Sequence, residues 1–260
     1  MRPLTNCLTL SALLLVSAWL STAAQAFDIT ANANKWPGAQ TLVFTGVPGI
    51  SRSGTPWSVA LQRAAGEWTD KTRFNFDASP LYRDPCAGTG LGSVPELLNG
   101  IDFRSNVCGT AFNASTLAVT VFFTEFNILG TADIVEADII FNDNLNFDVY
   151  DGPQRPGSNT SREYDFQRIA LHELGHVLGL GHDDSRPAIM NSTIGNLSRL
   201  QADDINGADA LYAGIENCDY RPARFGWVYG SLQAGDCRIQ QLLSGGSDDS
   251  FVDVYTPDLT

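Results

Sequence analysis

Apolar residues recur along this chain at two spacings, every second residue as in strands and every third or fourth residue as in amphipathic helices. Runs rich in β-branched and aromatic residues predict strands at residues 41–45, 74–76, 101–103, 117–123 and 135–141. Helical spacing predicts helices at residues 55–68, 165–178 and 200–212. The pattern therefore predicts helices that pack against a sheet.

The buried faces of the first two helices are predicted from their apolar stripes. We expect the first helix to begin at Thr55-Pro56, with the Thr55 hydroxyl as N-cap and Pro56 in the first helical position. Its stripe consists of Leu61, Ala64, Ala65 and Trp68. The stripe of the second helix consists of Leu171, Leu174 and Leu178.

The second helix carries the sequence HELGHVLGLGH over residues 172–182. His172 and His176 are four residues apart, so a helix turns both imidazoles to one side, where they can share a metal ion. Glu173 lies at the rim of that face, within reach of a water on the metal. His182 can join them only if the helix ends first and the chain turns back. Three neutral imidazoles leave the fourth position of a tetrahedral zinc open, which is the arrangement of a catalytic site.

Three further observations favour a zinc site over a helix whose histidines have purely structural roles. Gly179 lies between the second and third histidines, where a residue with positive φ is needed to end the helix. The chain has only three histidines, and all three lie in this motif. Met190, which follows in Ala188-Ile189-Met190, is one of only two methionines.

The N-terminus indicates export. Arg2, an apolar run over residues 8–20 and the small-x-small sequence at 24–26 together are typical of a secretory signal peptide, residues 1–26. The alternative is a membrane anchor, but the apolar run is too short to span a bilayer. We therefore expect a secreted, extracellular protein whose mature chain begins at Phe27.

Four cysteines remain after the predicted cleavage, and an oxidising compartment favours two disulfides. Proximity in sequence favours Cys86–Cys108 and Cys218–Cys237 among the three possible connectivities. Four free thiols or a second metal site are the alternative, which no C-x-x-C spacing supports.

Composition narrows the class of partner. The chain has 260 residues, 43% of them hydrophobic, enough for one sizeable domain with an appendage. Its formal net charge of −13 makes it a poor candidate for binding nucleic acid or anionic membranes. We expect no nucleic-acid partner and no membrane span, and a monomer that acts on protein or peptide substrates.

The motifs resemble those of the matrixins, the metzincin branch that includes the matrix metalloproteinases. The resemblance extends over roughly residues 35–214, and its most specific parts are the zinc helix, VEADIIFND, AIM and the closing LQADDINGADALYAG. It implies an α+β metzincin fold: a mixed twisted sheet with an active-site helix and a Met-turn. Asp183 departs from the serine usual in matrixins and is typical of adamalysins, the competing branch.

The sequence and the resemblance together divide the chain into three segments. Residues 1–26 are the signal peptide, residues 27–214 the catalytic domain and residues 215–260 a small C-terminal extension, pinned by the second disulfide. For the extension we favour packing as a cap on the catalytic domain over a substrate- or surface-binding role. No cysteine-switch propeptide and no hemopexin-like domain are expected.

The resemblance also assigns the zinc site. It makes His172, His176 and His182 the ligands of one catalytic Zn²⁺, whose bound water attacks the peptide bond with Glu173 as general base. Met190 lies beneath the metal as packing. The structural zinc of matrix metalloproteinases is not expected, because Val119 and Ile140 stand at the corresponding strand positions.

Two weaker assignments follow from the same resemblance. Leu117 and Ala118 match the edge strand that binds extended substrate. Asn142, Asp143 and Asn144 lie where matrixins hold structural calcium, and a solvated Asx turn is an equal alternative. The expected function is a secreted zinc endopeptidase, and the alternative is a non-catalytic secreted binding module on a metzincin scaffold.

Overall fold

The computed structural model describes residues 34–88, 95–126, 132–158 and 161–214, and the backbone of three strands between residues 228 and 255. The predicted signal peptide and Cys218 lie outside the described residues, so the leader and the Cys218–Cys237 disulfide stay predictions. No helix in the described part of the chain combines the length and the apolar character that a membrane span requires.

The elements of the main body alternate between strands and helices. The strands are β1 (Gln40–Phe44), β2 (Asn75–Ser79), β3 (Ile101–Arg104), β4 (Ala118–Phe126), β5 (Ala132–Asn142), β6 (Asn146–Asp148) and β7 (Glu163–Asp165). The helices are α1 (Trp57–Lys71), α2 (Phe166–Val177) and α3 (Ala202–Leu211). Every predicted strand and helix of this region is confirmed, with boundaries shifted by a few residues.

The main sheet is mixed, as expected. β3 pairs with β5 in parallel, and β4 pairs with β5 antiparallel. β1 and β2 form a parallel pair, and a bridge between Val43 and Asn99 joins this pair to the segment that leads into β3. Among the described strands β4 pairs only with β5, so its other side is a free edge.

The hydrophobic core lies between the sheet and the two long helices. The predicted stripes of α1 and α2 are buried, and Trp68 is fully buried with its indole N–H donating to the Leu171 carbonyl at 2.8 Å. Because α1 is bound to α2 through this contact, the position of the helix that carries the histidines is fixed from behind.

The start of α1 differs from the prediction. Pro56 is the N-cap residue, Trp57 is the first helical residue, and no side chain caps the helix. Pro56 has an extended ψ of 138°, so the helix begins one residue later than expected. Thr55 instead closes a tight turn, in which its backbone N–H and carbonyl both bond to Ser51. The predicted Thr55 cap is therefore wrong.

Strand β5 carries two buried carboxylates, Glu136 and Asp138, on the face turned away from the hydrophobic core. We call them the acid pair. Glu136 Oε2 accepts the Leu97 N–H at 2.6 Å, and Asp138 Oδ1 accepts the Gly100 N–H at 2.8 Å. The remaining oxygens, Glu136 Oε1 and Asp138 Oδ2, have no hydrogen-bond partner. Burial raises the pKa of Asp138 far above its usual value, and the nearby Glu136 adds to the rise.

Both ends of the main body contact the end of α2. The Trp36 indole N–H donates to the Val177 carbonyl at 2.8 Å. The Tyr212 hydroxyl, beyond α3, donates to the Leu178 carbonyl at 2.7 Å and accepts the Trp36 N–H at 3.2 Å. We call these three contacts the clasp.

The predicted Cys86–Cys108 disulfide is confirmed. The bond forms between Cα atoms 5.3 Å apart and joins the loop after β2 to the loop after β3. Further along the chain, β8 (Val228–Gln233), β9 (Asp236–Leu242) and β10 (Phe251–Tyr255) form a separate antiparallel sheet in the order β10-β9-β8. The role of residues 215–260 stays a prediction.

Candidate active site

Helix α2 brings the first two histidines together. β7 pairs with β6 and leads directly into α2, whose N-cap is Asp165. His172 and His176 lie one turn apart on the side of α2 that faces the cleft, and the leucine stripe fills the opposite side. The predicted start of this helix near Asp165 is confirmed.

The end of α2 turns the chain back as the sequence predicts. Gly179 has a φ of +111°, which only glycine adopts without strain. The Leu180 N–H donates to the Gly175 carbonyl and the Gly179 N–H to the His176 carbonyl, the two bonds of a Schellman motif. A Cβ at Gly179 would lie 2.6 Å from the Asn34 carbonyl oxygen, so the position also lacks space for a side chain.

The third histidine joins the first two after this turn. The Nε2 atoms of His172, His176 and His182 lie 3.0–3.2 Å from one another. In the described part of the chain, this is the only group of three or more His, Cys, Asp or Glu side chains close enough to share an ion. We call it the histidine cluster.

The hydrogen-bond partners of Nδ1 determine the tautomers of two of these rings. His172 Nδ1 lies 2.7 Å from the Ile189 carbonyl oxygen, and His176 Nδ1 lies 2.8 Å from the Leu180 carbonyl oxygen. A carbonyl oxygen only accepts, so each Nδ1 carries the hydrogen. The lone pair therefore lies on Nε2, inside the cluster, which is the tautomer that binds a metal through Nε2.

Burial keeps these imidazoles neutral. Burial, aided by the neighbouring rings, lowers the pKa of both His172 and His176 to about 4. Neutral imidazole is the form that binds a metal. Three nitrogens bound to one zinc at ~2.0–2.1 Å in a tetrahedron stand ~3.4 Å apart. The observed separations are close to this value, so the cluster fits Zn²⁺.

Glu173 lies beside the cluster and is buried. Its Oε2 accepts a hydrogen bond of 2.7 Å from the Thr120 hydroxyl of β4. Burial raises the pKa of Glu173, while His176 and Thr120 oppose the rise. A raised pKa makes the carboxylate a stronger base, which suits a group that accepts a proton and then returns it. Thr120 was not identified from the sequence, although it lies on the same strand face as Ala118.

The turn at 188–190 packs closely against α2. Met190 is buried, and a Cβ added at Gly175 would lie 2.2 Å from Met190 Sδ. Asp204, at the start of α3, accepts the N–H groups of Ile189 and Met190 at 3.0 Å each. Asp204 therefore fixes the turn whose Ile189 carbonyl orients His172. Asp204 was missed as a site residue, although the closing segment that contains it was recognised as family-like.

A cleft of about 670 Å³ opens beside the cluster. One wall is the start of β4, where Leu117 and Ala118 lie, and the other is the loop at 191–197. The histidine cluster and Glu173 lie between these walls. The sequence-predicted substrate residues therefore lie in the same cleft as the predicted metal ligands.

The polar turn after β5 is largely satisfied by its own contacts. Asn142 Oδ1 accepts the backbone N–H and the side-chain amide of Asn144, and Asn142 Nδ2 donates to the Thr116 carbonyl. Asp143 is exposed. These bonds form the predicted Asx turn, and calcium binding at this turn stays a prediction. The Val119 and Ile140 positions lie opposite each other in the β4–β5 register.

Comparison with known proteins agrees with this geometry. Residues 119–213 match the family model described as Matrixin. The chain is 50% identical over 52 residues to macrophage metalloelastase of Oryctolagus cuniculus, covering 18% of this chain and 11% of that protein. It is 38% identical over 72 residues to matrilysin of Homo sapiens, covering 26% of this chain and 27% of that protein.

A longer and weaker match extends the comparison. The chain is 26% identical over 158 residues to metalloendoproteinase 2-MMP of Arabidopsis thaliana, covering 60% of this chain and 36% of that protein. In each of these comparisons the match spans well under half the length of the relative. The family match favours matrixins over the competing adamalysin assignment. The family match covers residues 119–213, which hold the histidine cluster and its supporting turn, and it supports a matrixin-type metzincin.

Proposed function

We propose that this protein is a zinc-dependent endopeptidase with His172, His176 and His182 as zinc ligands and Glu173 as its general base. The observation that carries the proposal is the convergence of three imidazole nitrogens beside a buried carboxyl in an open cleft. Matrixins are zinc metalloproteases as a family, which supports the same assignment.

The residues have distinct roles in peptide hydrolysis. Zinc bound at the cluster would polarise the scissile carbonyl and acidify the attacking water. Glu173 takes the proton from that water and then delivers it to the leaving amine. The Thr120 hydroxyl holds the Glu173 carboxyl in place through Oε2. Met190 supports the cluster from below as the residue of the Met-turn.

The free edge of β4 supports a mode of substrate binding. An extended peptide can pair its backbone with this edge, which no described strand occupies. Leu117 and Ala118 lie at the start of that edge and line the cleft. We propose that they bind the substrate backbone. Secretion is part of the same proposal and rests on the leader-like sequence at residues 1–26.

The test separates chemistry from metal binding. Glu173→Gln keeps the shape of the side chain and an acceptor for Thr120 but removes the base. We expect unchanged zinc content and a loss of peptide hydrolysis of ~10²–10⁴-fold. Metal analysis and a quenched fluorescent peptide library measure the two quantities. The matched control is Glu125→Gln, because Glu125 is exposed on β4.

Two outcomes would contradict the proposal. Activity of Glu173→Gln within about tenfold of wild type would remove the assigned base. A wild-type protein that holds zinc but cleaves no peptide in a diverse library would favour the alternative, a binding module on the same scaffold.

A further inference from the structure

Two arginines line the cleft, although the protein as a whole is acidic. Arg168 lies one helical turn before His172, so it lies ~6 Å further along the α2 axis. Arg162 lies further on, before β7 begins. Both arginines line the cleft, and Glu173, beside the histidines, is the only carboxylate among the described residues that line it. The chain has a formal net charge of −13, so the positive charge of this lining is opposite in sign to that of the chain as a whole.

The guanidinium group of Arg168 interacts mainly with other groups of the protein. The residue is buried, and its Nε lies 3.6 Å from Asp165 Oδ2. One terminal nitrogen donates to the Gly195 carbonyl at 3.0 Å, and the other donates to the Gly152 carbonyl. Arg168 therefore joins the loop at 191–197, which lines the cleft, to the segment at Gly152, and its charge is offset by Asp165.

Arg162 is different because its charge is not offset. Its Nε donates to the Gly157 carbonyl at 3.3 Å and its Nη1 to Gln154 Oε1 at 3.0 Å, both neutral acceptors. Among the residues that the structure describes, no carboxylate forms an ion pair with Arg162. A guanidinium group has five N–H donors, so some remain for a ligand in the cleft.

The position of Arg162 is fixed relative to the cleft. Gln154 accepts a hydrogen bond from Arg162. Its side-chain amide donates to the carbonyls of Ile194 and Gly195, in the loop at 191–197 that lines the cleft. Gln154 N–H also donates to Asn196 Oδ1 at 3.0 Å. The guanidinium is therefore held against the loop at 191–197 and does not need to be ordered by the substrate.

We infer that the cleft selects a substrate residue with a long acidic side chain, in particular glutamate, and that Arg162 recognises its carboxylate. The inference rests on the proposed function, whose substrate class it specifies. A carboxylate can form charge-assisted hydrogen bonds with the free N–H groups of Arg162. Glutamate combines such a carboxylate with an aliphatic stem, which suits a cleft lined by Leu197 and Ile169 as well as by Arg162.

The size of the preference follows from the exposure of Arg162. The residue is only partly buried, so water and salt weaken its attraction for a carboxylate. We expect kcat/KM for a glutamate peptide to exceed that for the matched glutamine peptide by about three- to tenfold. The ratio should fall as sodium chloride is raised.

The experiment first uses a peptide library randomised around the scissile bond, with cleavage sites read by mass spectrometry. Two peptides that differ only in glutamate or glutamine at the selected position are then compared in four proteins. These are wild type, Arg162→Gln, Arg162→Lys and the charge-matched control Arg63→Gln, an exposed position on α1. Each ratio is taken within one protein, so a general loss of folded enzyme cancels.

We expect a ratio near one in Arg162→Gln, a retained preference in Arg162→Lys and the wild-type ratio in Arg63→Gln. A wild-type ratio of one, or an unchanged ratio in Arg162→Gln, would overturn the inference. Binding of the same two peptides to the Glu173→Gln protein, measured by fluorescence anisotropy, reads the preference without turnover. Failure of hydrolysis with a preserved binding preference would therefore count against the proposed function alone.

Discussion

The histidine cluster and the acid pair each bring several polar atoms close together, yet their surroundings differ. The three Nε2 atoms of the cluster lie within 3.2 Å of one another and line an open cleft. Glu136 and Asp138 are at most 1% exposed, and each has one oxygen without a hydrogen-bond partner. An unpaired buried group carries a cost of ~1–3 kcal/mol, so the acid pair needs a further partner.

Access and charge determine which partner suits each region. The cluster is open to solvent, and its buried rings His172 and His176 are neutral with lone pairs on Nε2, so it suits a cation that arrives from solvent. The acid pair is closed, and burial raises the pKa of Asp138, so a proton held there can be donated from one carboxyl to the other. An open cluster of neutral nitrogens thus suits a metal ion, whereas a closed pair of carboxyls suits a proton.

The largest expected effect concerns zinc. At a free zinc concentration of 1,000 times Kd, the free energy of unfolding should rise by ~4 kcal/mol over the chelator-treated protein. Denaturant unfolding at constant pH measures the difference. Asp138→Asn should keep this zinc response, whereas His182→Ala should lose most of it. A zinc response that survives His182→Ala undiminished would show that the histidine cluster is not where zinc binds.

A smaller effect is expected at the acid pair and depends on pH. The pKa of Asp138 is raised in the folded state, so its stabilising proton is fully present below the unfolded pKa and is lost as pH rises through the folded pKa. This group should lower the free energy of unfolding by up to ~1.4 kcal/mol per pH unit between those values. Asp138→Asn, with a neutral amide that can donate to Glu136, should flatten the profile between about pH 5 and 8.

The exposed Asp143→Asn serves as the control for the acid pair. It makes the same change of charge on the loop after β5 and should leave the slope as in wild type. Equal slopes for wild type and Asp138→Asn would mean that the two carboxyls do not share a proton.

The smallest effect is expected at the turn after β5. Because Asn142 Oδ1 is already occupied by Asn144, few ligands remain for calcium, and millimolar calcium should add less than ~1 kcal/mol to the free energy of unfolding. Thermal melts in calcium and in magnesium, with zinc saturating, measure this. A larger calcium-specific shift that Asp143→Ala abolishes would restore the turn as a calcium site.

The histidine cluster was predictable because its geometry is local. Helical spacing fixes His172 against His176, and one glycine reverses the chain before His182. The supporting contacts were not predictable in the same way. Thr120 and Asp204 meet the motif only through the fold, and neither has a distinctive spacing relative to it.

The burial of the acid pair, by contrast, could not be predicted from the sequence. In VEADIIF, the alternation places Glu136 and Asp138 on one side of the strand, which in an isolated strand would be interpreted as the solvent side. The segment with Leu97 and Gly100 covers that side instead. A loop without periodicity gives no signal of where it packs, so the burial could not be inferred.

The clasp has a consequence for how the protein is made. Trp36 and Tyr212 are 176 residues apart in sequence, yet both bond to the end of the helix that carries the histidines. Contacts of such long range form late in folding, and during synthesis the second partner emerges well after the first. Until Tyr212 has emerged, two of the three bonds of the clasp cannot form, so the end of α2 is held only in part. The clasp thus makes the support of the histidine helix depend on a segment that is synthesised after it.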